Sequence, residues 1–115
     1  LATVLIVEDE FLVRDVVQSE LEDPGYGVVV ADNADIAIAI LEARTDINLV
    51  FTDIDMRGSM DGMTLAACVR DRWPPIHIIT IGKARPREIP ANALFIPKPY
   101  LGRAVVDAMR TFQNM

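Results

Sequence analysis

The chain is poor in the residues that most metal and redox sites are built from: among 115 residues there is one cysteine and one histidine. Cys68 alone forms no internal disulfide, which fits a reducing compartment. Placed in a helix beside Ala66, Ala67 and Val69, it reads as small core filling. His77 alone cannot complete a histidine metal site or a catalytic triad, and within an apolar strand it reads as a buried, hydrogen-bonded core residue. No apolar run approaches the roughly 18 residues that cross a bilayer, and no charged-then-apolar leader opens the chain. A glycine-rich nucleotide loop, internal repeats and low-complexity stretches are also missing. Positive charge is in deficit: 11 Lys and Arg stand against 17 Asp and Glu, a net charge of -6. That balance disfavours a phosphate backbone as partner. These absences predict a cytoplasmic domain that binds neither nucleic acid nor membrane. The first residue is Leu1, which suggests a chain trimmed or excised from something longer.

What remains is rich in apolar residues, 51% of the chain, enough for one domain burying about two-thirds of its unfolded surface. Thr3 to Val7 reads as a first strand, and Leu12, Val13, Val16, Val17 and Leu21 follow at helical spacing until Pro24-Gly25. Tyr26 to Ala31 is a second strand. Asp32 or Asn33 can cap a second helix with Ile36, Ala37, Ile40 and Leu41 as its buried stripe. Leu49-Val50-Phe51-Thr52 is a third strand running straight into Asp53. Arg57-Gly58-Ser59 is a turn; Asp61-Gly62 leads into a third helix through Leu65, Ala66 and Val69, closed by Trp73 and Pro74-Pro75. Ile76 to Thr80 and Leu94 to Ile96 are the last two strands. Between them Gly82, Pro86 and Pro90 leave room only for a short or irregular fourth helix. Tyr100 to Phe112, with Leu101, Val105, Val106 and Met109, is the closing helix. Strict strand-helix alternation predicts an α/β fold with a parallel sheet and helices on both faces.

The polar residues collect at the ends of these strands: Glu8 and Asp9 after the first, Asp53 and Asp55 after the third, Thr80 after the fourth, Lys98 after the fifth. Ligands of open α/β sheets bind at that edge. Taken singly each residue has a plainer role: Asp53 a loop or capping acid, Glu8 and Asp9 a solvated helix start, Lys98 a turn lysine, Thr80 a local backbone partner. Together they suit Mg²⁺ and a phosphoryl group, with hard carboxylate oxygens on the cation and Asp53 as nucleophile. A cis Lys98-Pro99 bond is one way to aim the ammonium inward.

Val7-Glu8-Asp9-Glu10, Phe51-Thr52-Asp53-Ile54-Asp55-Met56, Met60-Asp61-Gly62, Ile79-Thr80 and Lys98-Pro99-Tyr100 together resemble the receiver domain of two-component response regulators, over essentially the whole chain, residues 1 to 115. The resemblance implies a flavodoxin-like, doubly wound, five-stranded sheet in the order 2-1-3-4-5. It implies that Asp53 takes a phosphoryl group from a histidine kinase or phosphotransfer protein. Mg²⁺ would be bound by Asp9, Asp53 and the Asp55 carbonyl with help from Glu8, while Thr80 and Lys98 would touch the phosphoryl group. Phe95 takes the place of the switch aromatic. Such a domain is a signalling switch and catalyses at most its own phosphorylation and dephosphorylation; an output domain or a second copy is a possible further partner. Ile81 replaces a usually small residue, which predicts narrower access to Asp53. Two rivals stand beside this reading. Asp53-Ile54-Asp55 is also the D-x-D of haloacid dehalogenase-type Mg²⁺ phosphatases, although Arg57 breaks that pattern and no cap domain fits. The other is a receiver-like interaction module that does not depend on phosphorylation.

Overall fold

A computed structural model describes residues 2–56, 60–90, 93–100 and 102–113. The elements run β1 (Thr3–Val7), α1 (Phe11–Glu22), β2 (Gly27–Ala31), α2 (Ala34–Ala43), β3 (Leu49–Asp53), α3 (Gly62–Arg72), β4 (His77–Gly82), β5 (Ala93–Pro97) and α4 (Gly102–Gln113). The five strands form one parallel sheet in the order β2-β1-β3-β4-β5, as the resemblance implied. Successive side chains of a strand point to opposite faces, and the core divides accordingly. Val4, Ile6, Leu49, Phe51, Ile79 and Ile81 pack with Val17 and Leu21 of α1 and Val105, Met109 and Phe112 of α4. Leu5, Val7, Val50 and Ile78 pack with Ala34, Ala37 and Leu41 of α2 and Leu65, Ala66 and Val69 of α3. The sheet is therefore covered on both faces, and its central strands carry little besides apolar residues.

Register sets the functional edge. Val7 is level with Thr52, Thr52 with Thr80, and Asp53 with Ile81, so the polar strand ends lie side by side. Local chemistry fixes where the helices begin. Asn33 accepts a hydrogen bond at its Oδ1 from the Ile36 amide, 2.9 Å, and Asp61 does the same from the Thr64 amide, 2.8 Å. Gly62 is required by close approach: a Cβ there would overlap the Asp53 carbonyl oxygen and lie 2.7 Å from the Ile54 Cα. The start of α3 thereby presses directly on the end of β3.

Several expectations need correction. The stripe expected along α1 is only half buried. Val17 and Leu21 face the core, whereas Leu12 and Val16 are 75% and 57% exposed and Phe11 is 62% exposed. At about 100° per residue these apolar positions cover about half of the helix circumference, more than the sheet can cover. On α2, Ile36 is likewise exposed. Cys68 is only partly buried, so it fills the edge of the core rather than its centre. His77 is also only partly buried; its ring stacks on Phe112 at 4.2 Å, and its Nδ1 has no hydrogen-bond partner among the described residues. β4 extends two residues past Thr80 to Gly82; Ile81 is level with Asp53 on the neighbouring strand and is fully buried in the core with Val105 and Met109 of α4. Described residues 83–90 form no helix, in line with the prolines there. The expected Arg57-Gly58-Ser59 turn and the Leu101 position of the last helix lie outside the described residues.

Candidate functional site

Asp53 ends β3 and is 1% exposed, an unusual place for a carboxylate unless its charge is answered. Its Oδ2 receives a hydrogen bond from Lys98 Nζ at 2.6 Å, and its Oδ1 accepts one from the Asp55 amide at 2.8 Å. Lys98 is brought there by β5: its own amide donates to the Gly82 carbonyl at 2.8 Å, and the Lys98-Pro99 bond is cis. On the other side Glu8 follows β1, its amide donating to the Ala31 carbonyl at 3.1 Å. Glu8 is 1% exposed, and its Oε1 accepts from the Glu10 amide at 3.1 Å. Carboxylate oxygens of Glu8, Asp9 and Asp53 all come within 4.8 Å of one another.

Such a cluster is electrostatically expensive. Two like charges 4.8 Å apart repel by about 3 to 4 kcal/mol at an effective dielectric constant of about 20. Lys98 offsets one charge of the three. Burial pulls its pKa down, but the hydrogen bond to Asp53 and the charges of Asp53, Glu8 and Asp55 prevail and hold it above the ordinary lysine range. The rest of the imbalance falls on Glu8, whose pKa is pushed from 4.5 up to about 8, first by burial and then by the neighbouring Asp53. Its Oε2 is buried with no hydrogen-bond partner among the described residues. A buried, unpartnered oxygen inside a group of three carboxylates is a donor set suited to a hard divalent cation, so these residues fit Mg²⁺. Tyr100 packs edge-on against Phe51, centroids 6.4 Å apart; burial and the charges of Glu8, Glu20 and Asp53 push its phenol up to about 12, so it stays neutral near neutral pH.

A pH effect on stability follows from Glu8. The folded chain retains a proton that the unfolded chain releases near 4.5, so the contribution of Glu8 is complete below 4.5 and is lost as pH rises through about 8. In metal-free buffer the thermal midpoint is expected to fall between about pH 5 and about pH 8, with Glu8→Gln flattening that decline. An unchanged slope in Glu8→Gln would assign the effect to other groups.

Among the expected site residues, Glu8, Asp9, Asp53 and Lys98 are brought together. Asp55 joins by its backbone; its carboxylate turns away, Oδ2 accepting from the Lys83 amide at 3.2 Å. Thr80 sits level with Thr52, one strand over, but its hydroxyl donates to the Leu94 carbonyl at 3.1 Å. Phe95 is partly buried, with the Arg85 guanidinium 5.9 Å from its ring centroid. A groove of about 650 Å³ adjoins the site, walled by Leu12, Val13, Val16 and Pro99 and reaching Lys83 and Lys98. Neither this groove nor the contact of Lys83 with Asp55 was evident in the sequence, since both join residues far apart along the chain.

The chain belongs to the response regulator receiver domain family, whose match covers residues 4–100. It is 35% identical over 112 residues to the response regulator protein FleR of Pseudomonas aeruginosa, and 33% identical over 120 residues to the nitrogen assimilation regulatory protein NtrX of Azorhizobium caulinodans. These alignments cover 92% and 97% of this chain but only 23% and 26% of those proteins. A stretch of the sensor kinase CckA of Brucella abortus is also similar, 37% identical over 106 residues, 86% of this chain and 11% of that one. In three dimensions the fold resembles a CheY-like receiver domain protein from Methanospirillum hungatei, with a TM-score of 0.89 at 26% identity over 99% of this chain and 94% of that one. It also resembles TrrA of Thermotoga maritima, solved with Mg²⁺ and BeF, with a TM-score of 0.87 at 23% identity over 96% and 98% of the two chains.

Proposed function

We propose that this domain accepts a phosphoryl group on Asp53, from a histidine kinase or phosphotransfer protein, in a Mg²⁺-dependent reaction that switches its conformation. The observation that carries the proposal is the pairing of Lys98 Nζ with Asp53 Oδ2 at 2.6 Å beside two further carboxylates within 4.8 Å. Glu8, Asp9, Asp53 and the Asp55 carbonyl would hold Mg²⁺, which supplies the positive charge that a phosphoryl group needs to approach carboxylates. The same fold accommodates Mg²⁺ and BeF in TrrA. An Asp53 oxygen bonds to phosphorus as the phosphorus–nitrogen bond of the donor phosphohistidine breaks, its electron pair staying with the imidazole. Lys98 is already in place to follow the charge from the carboxylate to the phosphoryl oxygens. Thr80 reaches the group only by leaving the Leu94 carbonyl, which ties phosphorylation to a rearrangement between β4 and β5. The exposed Leu12 and Val16 flank the site and offer a donor protein an apolar footing.

Relatives include regulators and a sensor kinase, each several times longer than the alignment. In this proposal the signal passes to an output domain or partner, in the cytoplasm. The test is incubation with acetyl phosphate and Mg²⁺ followed by intact-mass measurement. A labile adduct of one phosphoryl group is expected in wild type, none after EDTA, and none in Asp53→Asn. An adduct of equal yield in Asp53→Asn would refute the assignment. No adduct, together with no spectral response to beryllium fluoride and Mg²⁺, would favour the phosphorylation-independent module. Turnover of a general phosphatase substrate would favour the dehalogenase-type rival.

A further inference from the structure

Arg14 has no place in the chemistry above, yet it is among the most constrained cations of the chain. It lies one turn into α1, with only 16% of its side chain exposed. Its NH1 donates to the Glu8 carbonyl at 3.2 Å and to the Asp32 carboxylate, which follows β2. The guanidinium also lies 5.6 Å from the Phe11 ring centroid. Glu8 is thus held at both ends of its main chain, the amide by Ala31 and the carbonyl by Arg14. One oxygen of its side chain is fixed by the Glu10 amide, which leaves Oε2 as the oxygen with no partner among the described residues. With the main chain at Glu8 clamped in this way, the next residue, Asp9, is set as well, and both carboxylates meet Asp53.

We infer that Arg14 is a positioning residue for the cation site: by bridging the Glu8 carbonyl to Asp32, it fixes the acidic turn after β1 in the arrangement that presents Glu8 and Asp9 to the cation. The inference rests on the Mg²⁺ reading above and adds to it a residue that touches neither cation nor phosphoryl group. A surface ion pair of this kind contributes little to stability by itself. Its consequence lies in geometry, since groups that orient metal ligands influence affinity about 10- to 100-fold when removed. Both bonds come from one nitrogen, NH1, of the rigid guanidinium; a lysine ammonium can offer the same charge and more than one N–H, but on a shorter and more flexible stem, so it replaces the bridge only in part.

The test is titration of isotope-labelled protein with MgCl₂, followed through amide resonances, alongside thermal midpoints in EDTA. Arg14→Met is expected to bind Mg²⁺ about tenfold more weakly and Arg14→Lys about threefold more weakly. The EDTA midpoints of both should stay within a few degrees of wild type, because a purely structural role would move them and not the affinity of the folded protein. Equal Mg²⁺ affinity in Arg14→Met and wild type overturns the inference while leaving the Mg²⁺ reading intact. A wild type that does not bind Mg²⁺ overturns both. Should Arg14→Met melt far below wild type, Asp32→Asn decides: affinity about threefold weaker supports the role, and unchanged affinity refutes it.

Discussion

Replacing Lys98 by methionine is expected to slow phosphorylation of Asp53 by about a hundredfold or more, the usual cost of removing one group that stabilises developing charge in a sheltered site. Methionine keeps the length and apolar character of the lysine stem and deletes only the ammonium. In the present arrangement that ammonium lies 2.6 Å from a carboxylate oxygen that is itself 1% exposed. In the proposed reaction negative charge would move from the Asp53 oxygens to the phosphoryl oxygens, and the ammonium, on a flexible stem, could move with it. Mg²⁺ affinity should be kept or increased, because the cation then has less competition for Asp53. The rate of adduct formation with acetyl phosphate, measured by mass at saturating Mg²⁺, checks the first part. A rate within threefold of wild type would remove Lys98 from the reaction and leave it as a structural counter-ion.

Gly62→Ala is expected to destabilise the fold by about 3 kcal/mol or more, near the upper end for a single overpacked position. The reason is the identity of the atoms in the way. A methyl at Gly62 would overlap the Asp53 carbonyl and crowd the Ile54 Cα, both main chain and both unable to rotate aside. Either α3 withdraws, with loss of the Asp61 cap on Thr64, or the end of β3 moves and takes Asp53 with it. Gly82→Ala is the internal comparison. There the new methyl would lie 2.5 Å and 2.6 Å from Cγ1 and Cδ1 of Ile54, the end of a flexible side chain, so a loss of about 1 kcal/mol is expected. Urea denaturation of the two variants distinguishes the cases, and equal losses would show that α3 yields more readily than its contact with β3 suggests.

Strands such as Thr3–Val7 were legible in the sequence because a short β-rich apolar run that ends in acids, within an alternating chain, fits a buried parallel strand and little else. The converging set Glu8, Asp9, Asp53 and Lys98 was legible because each residue stands at a strand end, and a parallel sheet must bring such ends together. Helical periodicity, by contrast, counts apolar positions and cannot measure how much surface the sheet has to cover. Leu12 and Val16 therefore passed as core when they are exposed. Contacts made by long or polar side chains across the fold left no trace in local spacing. The bond from the Lys83 amide to Asp55, the engagement of Thr80 by Leu94, and the bridge of Arg14 from Glu8 to Asp32 each join residues whose separation has no periodic signature. The proton on Glu8 was equally hidden, because it depends on burial and on Asp53 rather than on Glu8 itself.

A divalent cation held by Glu8 would have to displace the proton that burial and Asp53 favour on the same carboxylate. If Mg²⁺ takes this place, each ion that enters must evict a hydrogen ion below about pH 8. Acidification would then act on the domain as magnesium starvation does, disarming Asp53 without any change in the supply of phosphoryl donor.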